Sequence, residues 1–314
     1  MTTPDTALPR VTVLTGGVGG AKLVLGLLRV LPAANVTAVV NTGDDFRHLG
    51  LHVSPDIDTL LYTLSGKANR ELGWGRADES WAFLDTLRAM GGPDWFQLGD
   101  RDLALHVLRS ARLAAGEPLH AITADFAARM GIGATVLPMT DDLVATRLAT
   151  DEGELDFQHY FVARRCAPAV RAIRFDGAAQ SCPAPGVLAA IAGADAVIVA
   201  PSNPFLSIDP LLAVPGLAQA LRETAAPVVA VSPIIGGKAV KGPTAKLMGE
   251  LGIALVNASI AAHYGAFLDG LVIDSADDAP AGLAVARTAT LMRDDADKAR
   301  VAQAALDLAA AIAG

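Results

Sequence analysis

Short aliphatic runs recur along the chain, each followed by a stretch with apolar residues at helical spacing. Five runs carry the pattern: VTVLT (11–15), VTAVVN (36–41), AVIVA (196–200), VVAVS (228–232) and IALVN (253–257). They are apolar rather than alternating, as strands buried on both faces of a parallel sheet are. Between the first two, Leu23, Leu27, Leu28 and Leu31 recur at helical spacing. Strand–helix alternation of this kind predicts a doubly wound, mostly parallel α/β sheet.

The middle departs from that rhythm. Residues 60–131 read as mostly helical. Residues 135–181 hold more polar, alternating runs at 145–150, 154–161 and 170–175, with Asp151-Glu152-Gly153 as a turn. They predict a small antiparallel β element inserted into a core made of residues 1–134 and 182–314. The uncharged window 251–268 contains Asn257, Ser259, His263 and two glycines. It reads as a strand followed by a helix, not as a membrane span. Residues 296–312 predict an amphipathic helix with Val301, Ala305, Leu308 and Ile312 on one face.

Composition narrows the class. The 314 residues are 52% hydrophobic and 18% charged, which excludes a disordered chain. The net charge of −8, without a basic run, argues against a general nucleic-acid binder. Cys166 and Cys182 form neither a disulfide framework nor a metal-binding spacing. The opening MTTPDTALPR lacks the cationic and apolar regions of a signal peptide. A cytoplasmic protein is expected.

The candidate chemistry lies at the ends of the predicted strands. Gly16, Gly17, Gly19 and Gly20 follow the first strand and open a helix, with Lys22 just beyond. Glycines let backbone approach a phosphate, and a helix start supplies amides and partial positive charge. The second strand ends in Asn41, where a nicotinamide-binding fold needs Asp or Glu for the ribose. Gly43-Asp44-Asp45 follows, and hard oxygen ligands suit Mg²⁺. In SPDIDT, Ser54 and Pro55 start a helix whose first turn holds Asp56 and Asp58. Residues two apart point in different directions on a helix, so one site takes a direct ligand from only one of them. Gly99-Asp100-Arg101-Asp102 has two readings: Asp100 as a plain helix cap, or Arg101 set beside two acids as a phosphate ligand. Ser202-Asn203 and the SPIIGG loop (232–237) follow two later strands, with Lys238, Lys241 and Lys246 beyond. In open α/β sheets ligands bind at this edge, and the set suits a phosphorylated ligand with a divalent cation.

Seven motifs in order cover nearly the whole chain: TGGVGGAKL (15–23), VVNTGDD (39–45), SPDIDTLLYTL (54–64), LGDRD (98–102), APSNPFLSI (200–208), VSPIIGG (231–237) and KGPTAKLM (241–248). Together they resemble the 2-phospho-L-lactate transferase family of deazaflavin coenzyme F-420 biosynthesis. The resemblance implies a Rossmann-like core, a homodimer and dependence on Mg²⁺. It implies transfer of a phospholactyl-type group from a guanosine diphosphate conjugate to the ribityl hydroxyl of the deazaflavin Fo, with release of GMP. The group is phospholactate, phosphoenolpyruvate or phosphoglycerate. By the same resemblance, Asp44 and Asp58 are the catalytic and metal carboxylates. Gly16–Gly20, Ser202 and Asn203 lie on the nucleotide side. Gln97 stands where some relatives carry an acceptor-site lysine, so a contact there is neutral. Trp74, Trp81 and Trp95 are candidates to stack on a flat ring. A second reading is a nucleotide-sugar-binding regulator of the gluconeogenesis-factor type, which shares the glycine loop and acidic motif; the PSNP, SPIIGG and KGP segments weigh against it.

Overall fold

The central sheet has seven strands: β1 Val11–Thr15, β2 Val36–Val40, β3 Thr135–Pro138, β4 Ala196–Val199, β5 Val228–Val231, β6 Gly270–Asp274 and β7 Ala284–Thr288. Their order is β3-β2-β1-β4-β5-β6-β7, and every pairing is parallel. The first six follow the Rossmann order, in which the chain reverses direction between β1 and β4. The computed structural model describes residues 8–239 and 242–314. The first seven residues of the opening segment and Lys241 lie outside them.

Both faces of the sheet are covered, as the unbroken apolar runs require. Val36, Ala38 and Val40 face one layer, with helices Gly17–Val30, Pro55–Leu64 and Asp295–Ala313. Val39 and Leu14 face the other, with Val187–Ala192, Asp209–Ala213, Leu217–Glu223 and Asn257–Tyr264. Among the described residues no single helix is long and apolar enough to cross a membrane.

Four of the five apolar runs are strands of this sheet. The fifth, 253–257, is not. The amide of Ile253 donates to Met248 O, closing the end of helix Thr244–Glu250, and Asn257 already begins the next helix. The Ile253 amide is spent on that helix end and the Val256 amide on a local turn to Ala254 O, so neither joins a ladder. The strand that follows β5 is instead β6. Thr135–Pro138, grouped by its pattern with the insertion, pairs with β2 as a four-residue edge strand ending in proline. The inserted element itself is antiparallel: Ala145–Thr150 pairs with Gly153–Asp156 and with Val170–Asp176. The strand expected at 154–161 stops at Asp156, and His159–Ala163 forms a π-helical turn that buries Tyr160 against Leu148, Val170, Leu206 and Leu247.

Candidate active site

In open α/β sheets ligands bind at the carboxyl edge where the strand order reverses, here between β1 and β4, and two loops meet there. Ser202 Oγ donates to Gly16 O (2.7 Å) and accepts from Gly16 N (3.2 Å), stitching the two strand ends together. The glycines have different reasons to be glycine. A Cβ on Gly16 would lie 2.5 Å from Asp56 Oδ2, on Gly19 2.7 Å from the Pro201 carbonyl, and on Gly20 2.0 Å from Thr15 Oγ1. Gly17 has open space but φ +66, a left-handed backbone that disfavours side chains. Three glycines therefore serve close packing of the loop, and Gly17 serves its turn into helix Gly17–Val30.

Three buried carboxylates sit against this loop. Asp56 Oδ1 accepts from Gly17 N (2.6 Å) and Oδ2 from Asn41 Nδ2 (3.0 Å). The same Asn41 Nδ2 lies 3.2 Å from Asp44 Oδ1, so one amide bridges Asp44 and Asp56. Asn41 Oδ1 in turn accepts from Gly43 N (2.8 Å), fixing the GDD turn. Asp45 Oδ2 accepts from Ser54 Oγ (2.7 Å) and lies 3.0 Å from His52 Nε2, while its Oδ1 is buried with no partner among the described residues. Burial raises Asp44 well above the ordinary carboxylate range, with the neighbouring Asp56 and Asp45 charges adding to it. Burial pushes Asp56 up to about 6, against the hydrogen bonds from Asn41 and Gly17. Burial also raises Asp45, opposed by His52 and Ser54. Buried like charges this close disfavour one another's ionised form.

Asp58 lies elsewhere. Both its oxygens accept from the Arg109 guanidinium of helix Asp100–Ala114, and Arg109 is fully buried. His106 Nδ1 stands 3.6 Å from Asp58 Oδ2 and His106 Nε2 3.2 Å from Asp102 Oδ2. Asp102 Oδ1 accepts from Tyr62 Oη (2.5 Å). Of the two acidic residues in the first turn of helix Pro55–Leu64, then, Asp56 meets the glycine loop and Asp58 meets a cation.

The remaining candidates scatter. Asn203 Oδ1 caps the turn Pro204–Ile208 by accepting from the Phe205 and Leu206 amides, and its Nδ2 donates to Thr244 Oγ1. Lys22 Nζ donates to Met292 O. Arg101 is exposed, its amide held by Glu79 Oε2. Asp100 takes the Phe83 and Ala82 amides, capping a helix other than its own. Gln97 lines a cavity of about 10 Å³ with Trp74 and Trp81, room for one water. Trp95 stacks on His159 with centroids 4.3 Å apart. Lys246 Nζ donates to Pro168 O.

Several site residues went unread in the sequence. Gln158, buried in the inserted element, donates its amide to Asp44 O (3.3 Å), and Thr146 N donates to Gly43 O (2.6 Å). Nothing local in the sequence ties them to the GDD turn. Arg109 did leave a signal: Asp102, His106 and Arg109 recur at i, i+4 and i+7, ionisable groups on the buried face of an amphipathic helix.

Comparison with known proteins agrees with the motifs. Residues 11–311 match the family model described as 2-phospho-L-lactate transferase CofD. A phosphoenolpyruvate transferase of Streptomyces griseus is 44% identical over 312 residues, 96% of this chain and 98% of that one. The protein of that name from Nocardia farcinica is 41% identical over 96% of this chain and 95% of its own. Among solved structures, a UPF0052-family protein of Bacillus halodurans superposes with TM-score 0.63 at 16% identity, covering 95% of this chain and all of the other. That likeness carries the fold.

Proposed function

Since the chain belongs to the 2-phospho-L-lactate transferase CofD family, we propose that it transfers an enolpyruvyl phosphate group from a guanosine diphosphate conjugate to the ribityl hydroxyl of the deazaflavin Fo. The family model supports the reaction class, and the name shared by relatives at 41–44% identity supports phosphoenolpyruvate as the acid. In the reaction, the hydroxyl oxygen bonds to the phosphorus bearing the three-carbon acid. The bond from that phosphorus to the bridging oxygen breaks. GMP leaves with the electron pair, and the hydroxyl proton is released. A homodimer in the cytoplasm is part of the same reading.

The observation that carries the site is the Asp44–Asn41–Asp56 cluster against the glycine loop. Among the described residues no group of three or more metal-ligating side chains meets. Mg²⁺ characteristically takes one or two carboxylates and completes its shell with water and substrate phosphate, and a pair of buried, mutually repelling carboxylates fits that habit. Asp44 and Asp56 are the residues to hold it; Asp58, already bound by Arg109, fits less well than the sequence suggested. When bound, the ion neutralises charge on the diphosphate. The chain's own share is positioning: Ser202 and Gly16 join the β1 and β4 loops, and Asn41 holds Asp44 and Asp56 together beside the glycine loop.

The test is to supply Fo with guanylylated donors of phosphoenolpyruvate, phospholactate and phosphoglycerate in parallel and to measure GMP. The expected result is release that depends on Fo, is fastest with the enolpyruvyl donor, is lost in EDTA and returns with Mg²⁺. Full turnover in chelator would remove the metal from the reading. No GMP from any donor would remove the transferase.

A further inference from the structure

The Asp58–Arg109 pair is an unusual use of buried space. Two charges taken out of water contribute little net stability compared with apolar side chains of the same volume, so such a pair is weak evidence of a stabilising role. Yet polar partners ring it, although Arg109 Nε is buried without a hydrogen bond among the described residues. Arg109 forks onto both oxygens of Asp58, His106 lies between Asp58 and Asp102, and Asp102 accepts from Tyr62. Asp58 and Tyr62 are one turn apart on helix Pro55–Leu64; Asp102, His106 and Arg109 lie along one face of helix Asp100–Ala114. The two helices are thus joined at two points by polar contacts, Asp58 to Arg109 and Tyr62 to Asp102.

At 100° per residue, Asp56 and Asp58 lie about 200° apart around their helix. Fixing Asp58 on Arg109 therefore fixes the opposite side of the same turn. That side carries Asp56, which meets Gly17 N at 2.6 Å and Asn41 Nδ2 at 3.0 Å. A slip of one residue would turn Asp56 away by about 100°. The same turn is also seated by Ser54, which donates to Asp45 just before it, and by Ile57, buried in the core with Leu60 and Leu61; the Arg109 contact adds the constraint on the side opposite Asp56.

We infer that Arg109, acting through Asp58, is a positioning residue that sets the rotation of helix Pro55–Leu64 and so aims the Asp56 carboxylate at the cation site beside the glycine loop. Asp58 is then required without touching substrate or metal. The inference rests on the assignment of the cation to Asp44 and Asp56 proposed above.

The test uses the double variant Asp58→Asn/Arg109→Met, which removes both charges and leaves neither buried alone. Three quantities are read: melting temperature, affinity of the substrate-free protein for Mn²⁺ by calorimetric titration, and kcat with KM for the guanylylated donor. The expected result is a melting temperature within about 5 °C of wild type, Mn²⁺ bound at least tenfold more weakly, and kcat down at least 50-fold with KM within threefold. A folded double variant with wild-type Mn²⁺ affinity and wild-type kcat overturns the inference and leaves the pair a purely structural contact. Should the double variant not fold, Arg109→Lys keeps the charge and loses the fork. It is expected to fold and to bind Mn²⁺ at least threefold more weakly; unchanged Mn²⁺ affinity and kcat there overturn the inference as well. Wild-type protein that binds no Mn²⁺ fails the metal assignment itself, and the inference with it.

Discussion

At the scale of single residues, the two acids of SPDIDT have separate fates. Helix geometry alone shows that they diverge but not which one meets the glycine loop; that depends on Arg109, 51 residues further along the chain from Asp58. Asp56→Asn removes one of the buried charges that repel Asp44. Turnover is expected to fall at least ~100-fold, about 2.7 kcal/mol, with the melting temperature unchanged or raised at neutral pH. Asp44→Asn should behave alike. Asp58→Asn instead leaves Arg109 buried without its carboxylate, and stability should drop by roughly 3 kcal/mol or more. Turnover and thermal unfolding of the three variants separate these roles. An Asp58→Asn protein that melts like wild type would show that Arg109 finds its compensation elsewhere. Asn41 teaches the complementary lesson: its identity disfavoured one cofactor class in the sequence, but its work of bridging two carboxylates appears only when strand, turn and helix are brought together.

At the scale of elements, four of the five apolar runs were readable because strands buried on both faces of a parallel sheet are apolar on nearly every residue. Thr135–Pro138, Gly270–Asp274 and Ala284–Thr288 were not, being short, edge-like or partly polar; strand β7 is half exposed. Run 253–257 misled because aliphatic residues also line the space between two helices. The glycine loop was readable as a loop, but its division of labour was not. A valine at Gly19 meets the Pro201 carbonyl, so Gly19→Val is expected to lose donor and acceptor binding together, as a folding defect. Gly17→Ala meets only backbone strain of about 1–2 kcal/mol and should stay folded while weakening the donor. Titrating both ligands into both variants distinguishes packing from phosphate approach. Gly26 offers a control remote from the carboxylate cluster. A Cβ there would stand 2.2 Å from Lys298 O, where helices Gly17–Val30 and Asp295–Ala313 cross. Gly26→Val should lower stability by at least ~1–3 kcal/mol. A melting temperature equal to wild type would mean the helices can part at no cost.

At the scale of the whole molecule, the carboxylate cluster should make stability depend on pH and, if the proposed cation binds, on metal as well. Asp56 has its folded value raised from 3.8 to about 6, and Asp44 and Asp45 are raised by the same burial. A raised carboxylate binds its proton more tightly in the folded state, so its contribution favours folding at low pH and is lost as pH rises from about 4 through the folded value. His48, lowered by burial, acts in the opposite sense: its contribution is present above its ordinary value of 6.5 and is lost as pH falls. Carboxylates already lowered by their partners, such as Asp102, are ionised in both states above pH 5 and add no slope there. Three raised groups against one give a metal-free protein that loses stability between pH 5 and 7.5. For Asp56 alone the effect is on the order of 3 kcal/mol from pH 4 upward, of which roughly 1.4 kcal/mol falls between pH 5 and 7.5. A cation between Asp44 and Asp56 cancels the repulsion, so Mg²⁺ should raise the melting temperature by more at pH 7.5 than at pH 5. The Asp56→Asn protein isolates the cluster from every other titrating group: relative to wild type in EDTA, it should gain stability as pH rises. Scanning both proteins at pH 5 and 7.5, with EDTA and with Mg²⁺, gives the comparison. If the two melt in parallel at both pH values, and Mg²⁺ shifts them equally, the carboxylates are neither strained nor waiting for an ion.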